Sequence, residues 1–420
     1  MAKYIIRGGK KLQGRMRTAG SKNSALVLMG ASLLTDEQVI LRRVPDLADI
    51  RVMRQLLENI GKKIDFQDGV MTITQTDKVN TEAPYELVKQ MRASIIVLGP
   101  LLSRYGKCRV SLPGGCAFGP RPVDLHIKGM ENLGAKISLD HGYIVAEARK
   151  LKGAPMILAG EFGSSVLGTD NVMMAGTLAE GETVIESAAL EPECADLAKM
   201  LVAMGAEIEG IGTAVLKIRG VEKLHGTDFT IMPDRIETAT FLIAGAITRG
   251  EITVTDCQPA HLTLPLNILK KSGFNIAVGK DNIKVSAGEK LKPFSIKTAP
   301  YPGFPTDLQA VFTVLACVIN GASSISESIY LDRFSHVLEL ARMGAEIETK
   351  VATISINGGK ELSGAPIQAS DLRCGAALVL AGLVANNTTE VSRIYHIDRG
   401  YELFEEKLRQ LGADIGREEE

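Results

Sequence analysis

The sequence predicts an α/β protein of two inside-out domains, each made of three repeated units with helices inside and sheets outside. Three observations predict this. A short phrase recurs six times: an apolar helix end, then Gly, usually Ala, one variable residue and Ile or an equivalent. Its glycines are Gly61, Gly134, Gly205, Gly273, Gly344 and Gly412, spaced 68–73 residues apart. Upstream of each lies a helical stretch of small apolar residues, the kind that packs tightly in an interior. The chain is also long and apolar enough for such a core, with 420 residues, 45% of them hydrophobic and 23% charged.

In chain order, the inner helices are expected at 24–34, 93–102, 171–178, 237–248, 308–319 and 372–384. A strand led by Gly follows most of them, as at 181–186 and 250–255. The recurring Gly then ends a second helix by taking the left-handed C′ conformation, and the chain enters a short strand. Each unit therefore reads helix, strand, helix, turn, strand. From the repeats alone, three-plus-three closure competes with an open α/β array.

Several classes of function are excluded. Forty-eight basic against 49 acidic residues leave a net charge of −1, which argues against a dedicated nucleic-acid binder. The longest apolar helical stretch, 374–385, falls short of the roughly 20 residues a bilayer demands, so no membrane insertion is expected. Arg7, Gly8 and Gly9 stand where a signal peptide would need an apolar run. The six cysteines are scattered, with no C-x-x-C pair and no spacing to histidines that reads as a metal site. Free thiols fit a reducing, cytoplasmic location. The sequence carries no signal for an oligomeric state.

Helix N-termini attract anions, so the residues placed there across the repeats are informative. At the first helix of successive units they are Lys22 and Asn23, Arg92, Asp170 and Asn171, Arg235, Asp307, then Asp371 with Arg373. At the second helix they include Arg121, Arg333 and Arg399, which lie 11 to 13 residues before their repeat glycines. Taken singly, each Arg reads as an ordinary solvated charge. Cations at helix N-termini oppose the dipole, however, and several in one register favour a cleft for an anionic ligand. The segment from Leu112 to Pro122 holds three glycines and three prolines around Cys116, with Arg121 close behind. It is either an incidental loop cysteine or a thiol activated by exposure and a nearby cation. Asp307 follows Phe304, Pro305 and Thr306 at a helix start, where an N-cap is the usual role and a general base the sharper one.

Motifs along nearly the whole length make the chain resemble the UDP-N-acetylglucosamine 1-carboxyvinyltransferases, a family of the EPSP synthase superfamily. They include Gly20-Ser21-Lys22-Asn23, Met91-Arg92-Ala93-Ser94, Pro113-Gly114-Gly115-Cys116 and Arg121-Pro122-Val123-Asp124-Leu125-His126. In the second half they are Pro233-Asp234-Arg235, Phe304-Pro305-Thr306-Asp307, Asp371-Leu372-Arg373 and His396-Ile397-Asp398-Arg399.

The resemblance implies two domains, 22–230 and 1–21 joined to 231–420, with an active site in the interdomain cleft. It implies transfer of enolpyruvyl from phosphoenolpyruvate to the 3′-hydroxyl of UDP-N-acetylglucosamine, the first committed step of peptidoglycan synthesis, without metal or organic cofactor. By motif, Lys22, Arg92, Arg121 and Arg399 would hold phosphoenolpyruvate, with Arg333 and Arg373 as further cations. Cys116 would be the general acid and the site of alkylation by fosfomycin, and Asp307 the general base. Lys22 and Arg399 would act in catalysis as well as binding. Asn23, Pro122, Val123, Asp124, Leu125, Ser165, Val166, Ile329 and Asp371 would line the nucleotide-sugar site.

Two departures stand out. The stretch Gly163-Ser164-Ser165-Val166-Leu167-Gly168-Thr169 replaces the family's Ser-Val-Gly-Ala-Thr, and Leu331 replaces an acidic residue common in the family. Two other functions compete with the main reading: an enolpyruvyl transferase with another acceptor, such as shikimate 3-phosphate, and a non-catalytic paralogue that binds nucleotide sugar. Cys116 and the 121–125 loop speak against the first. Joint retention of Lys22, Cys116, Asp307, Arg373 and Arg399 speaks against the second.

Overall fold

Four of the six inner helices begin where a short polar side chain satisfies free N–H groups. In a computed structural model that describes residues 2–114, 123–161 and 163–419, Ser21 caps Lys22–Ala31 and Ser165 caps Val166–Gly176. Asp234 caps Arg235–Ile247, and Asp371 caps Leu372–Val384. The other two inner helices, Leu98–Tyr105 and Gln309–Val318, follow 3-10 turns at Arg92–Val97 and Thr306–Leu308. All 13 residues of Arg235–Ile247 are buried: the polar Arg235, Glu237, Thr238 and Thr240 fall in its first turns, and from Phe241 on it is apolar on every side.

Each inner helix hands over to a strand of a four-stranded sheet, and six such sheets occur among the described residues. The first shows the shared pattern. Thr227–Thr230 runs parallel to Val39–Arg42, which pairs antiparallel with Val70–Gln75, itself antiparallel to Lys62–Gln67. The repeat glycines all have positive φ, from +89° at Gly134 to +119° at Gly61, so each ends its outer helix in the left-handed region.

The chain forms two units with separate cores. Among the described residues, one unit holds residues 2–19 and 233–419, and the other holds 20–114, 123–161 and 163–232. In the first unit, the inner helices Arg235–Ile247, Gln309–Val318 and Leu372–Val384 pack on one another. In the second, Lys22–Ala31 packs on the Arg92–Val97 turn, and Leu98–Tyr105 packs on Val166–Gly176. The chain's first strand completes the sheet of the last repeat: Ala2–Arg7 lies between Thr388–Ser392 and Asp414–Glu419, with Tyr4 and Ile6 fully buried. Helices inside and sheets outside are therefore as expected.

Two boundaries differ from expectation. The third inner helix starts at Val166 rather than Asn171, because Ser165 accepts from Gly168 N at 3.1 Å and nucleates it earlier. Asp170 and Asn171 thus lie inside that helix, fully buried, and not at its N-terminus. The second inner helix is split after Val97. Pro100 lacks an N–H, and its ring would clash with the carbonyl four residues back if an α-helix ran continuously from Arg92.

Candidate active site

The strongest cluster of charge in the 2–19/233–419 unit forms around Asp307. The Thr306–Leu308 turn presents this carboxylate without any side-chain capping bond. Asp307 Oδ1 lies 2.8 Å from Arg333 Nη1, and Oδ2 lies 2.9 Å from Arg373 Nη2 and 3.2 Å from Arg373 Nε. Asp307 is therefore a bridging anion rather than an N-cap. Both guanidinium groups are buried, Arg333 to 7% exposure and Arg373 to 3%. Burial is the strongest influence on each charge and works against it, yet the neighbouring groups together raise both above the ordinary arginine value: Asp307 and Asp371 at Arg333, and Asp307, Tyr401 and Asp234 at Arg373. The N-termini of three inner helices are thus brought to one place, since Asp234, Asp307 and Asp371 each stand at one.

Asp371 spends its Oδ1 on Arg373 N and Cys374 N, at 2.8 and 3.0 Å, and its Oδ2 accepts from Ser335 Oγ. Its structural work is to start the helix that carries Arg373. Ile329 lies in the loop before Arg333 and is half-buried. Arg399 ends the Ile394–Arg399 turn, partly exposed. Burial, and then the Arg399 charge, hold the His396 imidazole below its usual value.

The other unit presents a second set. Lys22 opens its helix at 7% exposure, and its Nζ lies 3.1 Å from Asp49 Oδ2 in the first turn of Ala48–Ile60. Asn23 beside it is exposed. Ser24 Oγ donates to buried Asp196, whose carboxylate burial pushes above its usual value. Arg92 opens its 3-10 turn and faces buried His126, which burial and then Arg92 hold down to about 3. His126 Nδ1 in turn meets the Asn171 amide at 2.9 Å. Val123, Asp124 and Leu125 begin the helix Asp124–Asn132. Leu125 lies beside Gly160 and Gly168, so this segment adjoins the cap formed by Ser165 ahead of Val166. Cys116, Arg121 and Pro122 lie outside the described residues.

Sequence reasoning named the bridged trio of Asp307, Arg333 and Arg373 but missed the residues that hold the cations in place. Asp49 is one and Glu327 another. A signal for Asp49 existed: Asp49 and Glu193 each stand twelve residues before a repeat glycine, on the first turn of an outer helix. Glu327 carries no such register signal, because its side-chain partners, Thr298 and Thr306, lie 29 and 21 residues away in the chain.

Within the 2–19/233–419 unit, the Arg333 and Arg373 guanidinium groups can hold an anion, and the Asp307 carboxylate they share can take a proton. Comparison with known proteins agrees. A family model described as EPSP synthase (3-phosphoshikimate 1-carboxyvinyltransferase) matches residues 6–408. The UDP-N-acetylglucosamine 1-carboxyvinyltransferase of Methylacidiphilum infernorum is 51% identical over 417 residues, 99% of each chain. That of Koribacter versatilis is 52% identical over 421 residues, 99% of this chain and 96% of the relative. Among solved structures, the enolpyruvyl transferase NikO from Streptomyces tendae superposes with a TM-score of 0.90 at 25% identity, covering 99% of this chain and 98% of that one. An EPSP synthase from Acinetobacter baumannii gives 0.78 at 18% identity over 100% of both chains, a likeness of fold. The chain belongs to the EPSP synthase family and, within it, to the UDP-N-acetylglucosamine 1-carboxyvinyltransferases.

Proposed function

We propose that this chain transfers the enolpyruvyl group of phosphoenolpyruvate to the 3′-hydroxyl of UDP-N-acetylglucosamine and releases inorganic phosphate. The observation that carries this reading is the end-to-end match, at about half identity, to relatives bearing that activity in their names. Protonation of the methylene carbon builds cationic character on the adjacent carbon. The sugar hydroxyl adds there and gives up its proton. Loss of a proton from the resulting methyl group, together with phosphate, then restores the double bond. Cys116 serves as the acid, Asp307 as the base toward the hydroxyl, and Lys22, Arg92, Arg121, Arg333, Arg373 and Arg399 hold the anionic groups.

The geometry around Asp307 supports its part. A carboxylate bridging two buried guanidiniums is a weak base while both hold it. A substrate carboxylate or phosphate that draws on Arg333 or Arg373 loosens that grip, so the base strengthens as the site fills. Nucleotide-sugar contact falls to Asn23, the 122–125 segment, Ser165, Val166, Ile329 and Asp371. Residues 22–230 act as the nucleotide-sugar domain, and 1–21 with 231–420 as its partner. We place the enzyme in the cytoplasm at the entry to peptidoglycan synthesis. The five described cysteines are free, which fits a reducing compartment, and no helix among the described residues is long and apolar enough to cross a membrane.

Phosphate release tests the reading. It should require phosphoenolpyruvate and UDP-N-acetylglucosamine together. Turnover with shikimate 3-phosphate as acceptor, and none with the nucleotide sugar, overturns the assignment.

A further inference from the structure

Glu327 is a carboxylate at 2% exposure that no lysine or arginine among the described residues pairs with directly. Its Oε1 accepts from Thr298 Oγ1 at 2.7 Å, Ile329 N at 2.8 Å and Tyr330 N at 3.1 Å, and its Oε2 accepts from Thr306 Oγ1 at 2.8 Å. A carboxylate buried this deeply and met by four donors calls for a structural reason. The reason lies one bond further on. A hydroxyl has one proton and two lone pairs. Because Thr306 gives its proton to Glu327, it can only accept from its other neighbour, Arg333 Nη1, at 3.0 Å. The same Nη1 reaches Asp307 Oδ1 at 2.8 Å, and Thr306 and Asp307 are adjacent on one turn.

We propose that Glu327 and Thr306 are positioning residues that divide the Arg333 guanidinium between Thr306 and Asp307 and so keep Asp307 available as a base. Without a lone pair at residue 306, Arg333 turns wholly onto Asp307 and tightens the ion pair that a base must escape. Glu327 also pins the backbone of Ile329 and Tyr330, so the loop leading to Arg333 is set by the same carboxylate. Thr298 closes the unit from the other side, accepting from Ser328 N at 2.8 Å. The inference rests on the proposed transferase reaction, in which Asp307 receives the hydroxyl proton.

The test is steady-state kinetics on the full chain with phosphoenolpyruvate and UDP-N-acetylglucosamine, with a thermal melt of each variant. Thr306→Val should lower kcat about 10- to 100-fold and change the KM for phosphoenolpyruvate less than about 3-fold, the pattern of a lost transition-state interaction. Thr306→Ser, which keeps the hydroxyl, should restore kcat to within about 3-fold of the parent. Glu327→Gln replaces an acceptor by an amide donor, competes with Arg333 for Thr306, and should lower kcat similarly while melting as a folded protein. If Thr306→Val does not fold, Glu327→Gln and Thr306→Ser carry the same comparison. A parental kcat in Thr306→Val or Glu327→Gln, or a loss that Thr306→Ser shares, overturns the relay. An inactive parent instead overturns the transferase reading, so the two failures are distinct.

Discussion

A thiol attacks as its thiolate, so burial decides which of the six cysteines can react. Burial pushes the Cys108 and Cys317 thiols up to about 12 and Cys374 to about 11. Cys194 is raised well above its ordinary value by burial, then by Asp170 and Glu191. Cys257 is buried as well. Cys116 alone sits in a Gly- and Pro-rich stretch of sequence with an arginine five residues on. An epoxide mimic of phosphoenolpyruvate, fosfomycin, should therefore alkylate Cys116 and leave the other five largely unmodified, and nucleotide sugar should promote the reaction. Peptide mapping by mass spectrometry checks this. An adduct mainly at another cysteine, or labelling that Cys116→Ser retains, contradicts it. Asp307 shows the same dependence of role on surroundings. At the start of a helix it reads as a cap, but two buried arginines give it a different task.

At the scale of elements, the repeated glycine does one job in six places, yet its surroundings differ. Gly61 has φ +119°, and an added Cβ would stand 1.9 Å from the Lys78 carbonyl oxygen. Gly134 has φ +89° with open space around that position. Gly134→Ala should cost only the left-handed strain, about 1–2 kcal/mol. Gly61→Ala adds a backbone clash that no side-chain rotation relieves and should exceed about 3 kcal/mol. Urea denaturation of the two variants measures the difference, and equal midpoints would show that the close approach at Gly61 relaxes freely. The inner helices follow from their caps: Ser21, Ser165, Asp234 and Asp371 mark four starts. The Ser165 start was hidden because Val166, Gly168 and Thr169 are poor helix formers, and tertiary burial of the helix overrides them.

For the whole molecule, buried titratable groups set how stability varies with pH. Burial, with Arg92, holds His126 down to about 3, and burial holds His336 down to about 4. The unfolded chain takes up these protons near pH 6.5 while the fold does not, so their contribution is complete above about 6.5 and is lost as pH falls toward 3–4. Asp170 works in the opposite sense. Burial, opposed by the neighbouring Cys194 thiol and reinforced by Glu191 and Glu193, raises it to about 7. The fold keeps this proton where the unfolded chain has lost it, so stability declines as pH rises from about 4 to 7 and is level above. Asp170→Asn removes that slope. Its stability relative to the parent should improve by up to about 1.4 kcal/mol per pH unit between pH 4 and 7, then stay constant. A difference that does not vary across this range would show that Asp170 is ionised in the fold.

The repeats, the inner helices and the turn glycines were legible in the sequence, because a helix buried on every side is apolar over most of its length and a left-handed turn favours Gly. So were Lys22, Arg92, Arg235 and Arg373 at inner-helix starts, whereas Arg399, expected at the start of an outer helix, ends a 3-10 turn ahead of Phe404–Gln410. The hydrogen-bonding duties of these groups were not legible. That Asp307 bridges Arg333 and Arg373, that Asp49 holds Lys22, and that Glu327 governs Thr306 depend on residues 21 to 66 positions apart meeting within about 3 Å. Local sequence thus determined which elements form and which charges they carry. Only tertiary packing decided which charge faces which partner, because a hydrogen bond depends on distance and direction in space and leaves no period in the chain.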